Sequence, residues 1–89
     1  MIKPSIGRVV WFYPDKKWLE EEKQPFPALV CFVHDDRSIN VAYFSHAGGH
    51  HSASSVQLVQ EGDMIKPGNF CTWMPYQIGQ AKKHEGSSS

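Results

Sequence analysis

The amino-acid sequence predicts an all-β domain, a single small barrel of five strands with a long first loop. Three observations lead there. Five short runs of β-branched and aromatic residues are separated by turn residues at close spacing. Eighty-nine residues with five such runs are too few for a two-sheet sandwich of immunoglobulin type. The second run is apolar on both faces, as a central or covered strand is. Rolling the strands into one strongly bent barrel also hides edges that would otherwise pair with other chains.

The first strand is read over residues 6–13, "IGRVVWFY", and Pro14 ends it. The second is 28–34, "ALVCFVH", and the third 39–44, "INVAYF", in which Ile39, Val41 and Tyr43 share one parity. "DDRS" between them is turn chemistry, because Asp side chains bond the backbone ahead of them. The two runs are therefore expected to form an antiparallel hairpin around Asp35 to Ser38. "SHAGGHHSAS" reads as a polar loop centred on Gly48-Gly49. "SVQLVQ", 55–60, alternates as a fourth strand. "EGD" and "KPGN" are turn signals flanking a short bridge at Met64-Ile65. "FCTWM", 70–74, is the fifth strand, stopped by Pro75. Residues 1–78 are assigned to the barrel domain and 79–89 to a flexible C-terminal tail, since "KKHEGSSS" has nothing to bury.

The first loop, 14–27, is the unusual part. "KKWLEEEK" contains good helix formers, but so short a helix is marginal alone, and Pro14 and Pro25 bracket it. An ordered loop, with or without one helical turn, is expected rather than a linker, because a linker would expose Trp18 for no gain. On the second strand Leu29, Cys31 and Val33 oppose Ala28, Val30 and Phe32. The loop, with Trp18, Leu19 and Phe26, is expected to cover that strand's outer face.

Composition narrows the function. Nine basic and nine acidic side chains cancel, and a neutral domain lacks the long-range attraction to nucleic acid that counterion release supplies. No stretch approaches the ~18 apolar residues of a membrane span. The N-terminal "MIKPSIGR" lacks the apolar run of a secretory signal, so a cytoplasmic protein is expected. Cys31 and Cys71 lie in apolar runs without Cys-x-x-Cys spacing, and two buried thiols are expected.

The order of strand, long loop, hairpin pair, short loop, strand, bridge and strand resembles the SH3-like small barrels, including Tudor- and PWWP-type modules. The segments that carry the likeness are "GRVVWF" (7–12), "PALVCFV" (27–33) and "INVAYF" (39–44). It covers residues 6 to 76 and implies topology alone. The aromatic cage of those readers is not matched residue by residue, so no binding residue is carried over. Separately, "KPSIGRVV", "SVQLVQEGD" and "WMPYQIGQAKK" resemble the corresponding segments of a group of short phage and prophage proteins, over nearly the whole chain. That likeness implies a viral or prophage origin, and with it the cytoplasm of a bacterial host or association with the virion. It implies no mechanism.

No catalytic residue is assigned. A cysteine nucleophile needs exposure, a low pKa and a histidine base, and no phosphate loop or paired-carboxylate signature is visible. His46, His50 and His51 fall in one loop, but zinc sites draw four ligands, usually from separate elements. A solvated histidine loop is expected, with no metal and no cofactor. The aromatics remain. Trp11, Phe12 and Tyr13 are consecutive, so strand parity turns either Phe12 or the other two outward. Tyr13, Trp18, Trp73 and Tyr76 are the candidate lining of a groove that holds a protein or peptide, for which rigid amphipathic rings are suited. The expected function is a non-enzymatic accessory module that binds an unidentified host or phage protein, as a monomer or weak homodimer. The alternatives are a single-stranded nucleic-acid binder using Lys3, Arg8, Arg37, Lys66, Lys82 and Lys83 beside the rings, and a structural virion subunit.

Overall fold

The computed structural model describes residues 1–80. Five strands close into a barrel in the order β1-β2-β3-β4-β5. They are β1 (Val9–Tyr13), β2 (Phe26–Asp35), β3 (Ser38–Phe44), β4 (His50–Val59) and β5 (Phe70–Thr72), with one short helix, α1 (Lys16–Glu20), in the first loop. β1 pairs antiparallel with both β2 and β5, and the parallel β4–β5 pair completes the ring.

The β2–β3 hairpin forms around the expected turn, with Asp35 opposite Ser38. Asp35 Oδ1 accepts the Arg37 N–H at 2.8 Å, the local bond for which Asp is favoured in turns. One hydrophobic cluster fills the barrel: Val10 and Phe12, Ala28 and Val30, Ile39 and Val41, Val56 and Leu58, Cys71 and Trp73. Each strand contributes alternate residues, as the pleat requires.

Three register shifts break that alternation, two in β2, the second of them between Val33 and Asp35, and one in β4. In β2 the register shifts between Val30 and Phe32. An extra residue in one strand moves all later side chains to the other face. Cys31 and Phe32 thereby both end up exposed, and Val33 pairs with Ile39. The expectation of two buried thiols fails for Cys31 on this ground. In β4 the shift lies opposite Asn40, whose Oδ1 accepts the Ser55 N–H at 2.8 Å. Ser55 there has φ of 52°.

The loop 14–27 does not cover the outer face of β2, where Leu29 and Phe32 are 40% and 50% exposed. Its tryptophan packs at the strand's beginning instead, for reasons given below. β4 starts five residues earlier than the alternation in 55–60 suggests, so His50 and His51 pair with Phe44 and Tyr43 rather than lying in a loop. The remaining loop is a tight turn in which the Ser45 N–H donates to Gly49 O at 2.7 Å and Gly48 takes φ of +90°. The left-handed region is open to glycine without strain.

After β5, residues 75–80 are helical, where the sequence suggested only a turn into the tail. Pro75 opens this helix, a position where its missing N–H is no loss. The Gln77 side chain accepts the Met74 N–H at 2.8 Å and donates to Val9 O at 2.9 Å. Gly79 and Gln80 therefore belong to the helix, and the rest of the expected tail, 81–89, lies outside the described residues.

Candidate functional site

Asp15 sets the first loop's course. It caps α1 by accepting the Trp18 N–H at 2.7 Å, the usual role of Asp at a helix start. The helix ends in a Schellman pair of bonds, Glu22 N–H to Leu19 O at 3.0 Å and Lys23 N–H to Trp18 O at 3.2 Å. That geometry needs a left-handed residue between, and Glu22 supplies it with φ of 57° where glycine is usual. The chain doubles back over its own helix. Trp18 is consequently held from two sides: its indole N–H donates to Gln24 O at 2.9 Å, and its ring stacks on Phe26 at 5.3 Å.

From Phe26 the rings continue. The imidazole of His46 lies 4.6 Å from the Phe26 ring, with Nε2 3.2 Å from Pro25 O. Tyr43 is 6.1 Å from Phe26 and stacks on His51 at 5.3 Å. On its inner side Tyr43 stacks on the core ring of Phe12 at 4.0 Å, the planes 11° apart. Trp18, Phe26 and Tyr43 are half-buried, and His46 and His51 are exposed. Five side chains from the first loop, β2, β3, the 45–49 turn and β4 thus form one ring-to-ring surface anchored on the core.

The four rings chosen from sequence do not assemble this way. Trp18 belongs to the surface just described. Tyr13 is only 5% exposed because it stacks at 5.0 Å on Phe70, its register partner on β5. Burial pushes its phenol pKa up, partly offset by a hydrogen bond from Thr72. Trp73 is 3% exposed, within the core, because it continues the inward parity of Cys71. Tyr76 is 72% exposed on the C-terminal helix. No ring contact joins these four to one another among the described residues. Phe26, Tyr43, His46 and His51 were missed, and one signal pointed to three of them: Tyr43 and His51 flank the hairpin turn 45–49, and His46 lies in it.

Of the basic residues of the nucleic-acid alternative, Lys3, Arg8, Arg37 and Lys66 are described. Arg8 has its guanidinium 5.9 Å from the Trp73 ring centroid. Arg37 is bidentate on Asp63, at 2.8 and 3.3 Å. Lys3 and Lys66 are exposed, and Lys82 and Lys83 lie outside the described residues. Arg37 and Lys66 border an open cleft of about 640 Å³ with Ser55, Gln57 and Met64. The cleft's far wall is tied down by Gln57, whose side chain bonds Met64 O and the Lys66 N–H at 2.9 Å each. Asp63 also lines it, so the cleft carries both charge signs.

Cys71 is fully buried, and burial pushes its thiol up to about 12. It is no nucleophile in this state. Among the described residues no three His, Cys, Asp or Glu gather to hold a metal, and no helix is long and apolar enough to cross a membrane.

Comparison with protein-family models, with curated proteins and with solved structures found no match.

Proposed function

We propose that this chain is a non-enzymatic binding module that recognises a protein or peptide through the ring surface of Trp18, Phe26, Tyr43, His46 and His51. The observation that carries the reading is the continuity of those rings while they remain solvent-accessible. A barrel of this size needs its interior filled, and ten residues fill it. The ring surface lies outside that cluster or at its margin, and clustered aromatics in a rigid setting are the side chains that dominate binding energy at interfaces. The bland alternative, that Trp18 only lids the barrel, accounts for Trp18 and Phe26 but leaves the exposed histidines unexplained.

The likeness of "SVQLVQEGD" and "WMPYQIGQAKK" to short phage and prophage proteins supports an accessory role in a bacterial host, with a host or phage protein as partner. The test is affinity capture from cross-linked bacterial lysate, with wild-type protein beside Trp18→Ala and His51→Ala. One protein captured by the wild type and lost in both variants supports the reading. Capture that survives both substitutions overturns it. Retention on heparin that falls steeply with salt would point instead to nucleic acid, and recovery from purified particles to a structural role.

A further inference from the structure

The ring surface already holds a cation, and the cation is the chain's own. Lys23 Nζ lies 4.6 Å from the centroid of the Trp18 ring and 3.0 Å from Glu21 Oε2. An aromatic face with a carboxylate at its rim is a receptor for an ammonium or guanidinium group, since the ring quadrupole and the carboxylate both attract it. The left-handed Glu22 puts Lys23 there: the reversal that completes the Schellman bonds lays residue 23 back over residue 18. The seat is open to solvent, with the Lys23 and Glu21 side chains 49% and 41% exposed. An exposed pair of this kind is worth little net free energy, so its occupant is easily exchanged.

The geometry points to a basic side chain of the partner as the group this seat takes, with Lys23 as an internal competitor that must leave first. This rests on the proposed ring-surface reading and adds the chemistry of the ligand. Charge favours it. The segment 14–27 carries four acidic residues, Asp15, Glu20, Glu21 and Glu22, against three basic ones. Glu21 is also within 3.9 Å of Lys17, so its carboxylate keeps a second cationic neighbour on its own helix when Lys23 swings out. The adjoining Phe26 and His46 rings would flank the residues next to the partner's cation.

The probe is a nonapeptide of alternating glycine and serine with one central lysine, compared with the same peptide carrying norleucine there. Binding is followed by the NMR shift of the Trp18 indole N–H in wild-type protein, in Lys23→Ala, and in Lys23→Ala combined with Glu21→Gln. The buried Trp73 indole signal reports that each variant is folded. Removing the competitor is expected to tighten the lysine peptide about two- to fivefold, Glu21→Gln to abolish that gain, and the norleucine peptide to bind more weakly to Lys23→Ala. Equal binding of the two peptides, or no gain in Lys23→Ala, overturns the cation seat. Equal binding at the Trp18 indole would do so while sparing the ring surface, which stands or falls on the capture experiment.

Discussion

The Gln60 side chain grips Ile2 as a neighbouring strand would, accepting its N–H at 3.2 Å and donating to its C=O at 2.8 Å. Gln60 is only 3% exposed, and its amide nitrogen also donates to Asp36 O at 2.8 Å. One buried side chain thus ties the N-terminus to the β2–β3 turn, fifty-eight and twenty-four residues away.

Gln60→Leu keeps the volume and removes every one of those bonds. Backbone groups left without partners cost about 1–3 kcal/mol, and that loss is expected in the urea midpoint. Hydrogen exchange at Ile2 should accelerate by more than the global change explains. Unchanged protection of Ile2 would show that the grip does not hold the N-terminus.

Glu22 occupies the left-handed position that ends α1, with φ of 57°. A side chain there costs roughly 1–2 kcal/mol, while glycine adds some freedom to the unfolded chain. Glu22→Gly is therefore expected to stabilise by about 0.5–1 kcal/mol in thermal or urea unfolding. Destabilisation would mean that the Glu22 side chain makes a contribution larger than its strain.

The hydrogen bond from the Arg37 guanidinium, and then that from the Gln60 N–H, hold the Asp63 carboxyl below its ordinary 3.8. The folded state therefore binds this proton less readily than the unfolded state, and stability falls as protons are added. The Arg37–Asp63 contribution is fully present above pH 3.8 and is lost as pH falls through the lower folded value. In melting curves from pH 6 to pH 2, Asp63→Asn should flatten the acid limb. An identical acid limb in the variant would assign it to other carboxylates.

Cys31 is exposed and Cys71 buried, with the Cys71 thiol pushed up to about 12. A thiol reagent should modify one cysteine rapidly in native protein and the second only after unfolding. Cys31→Ser should abolish the fast reaction. A fast second thiol would mean that the barrel opens beside β5, where Cys71 pairs with Phe12 on one side and Leu58 on the other.

The all-β class, the five strands and the hairpin turn at Asp35–Ser38 were legible in sequence, because each depends on neighbours a few residues apart. β-Branched and aromatic runs favour extended backbone, and Asp, Gly and Pro punctuate them. Which rings face solvent was not legible. Tyr13 is buried by Phe70, a partner fifty-seven positions away that only barrel closure supplies. Cys31 is exposed by a bulge whose register is set against β3, and His50 and His51 became strand residues through pairing with Phe44 and Tyr43. Parity along one strand is a local property, but burial depends on what the closed sheet brings opposite, and that the tertiary structure alone decided.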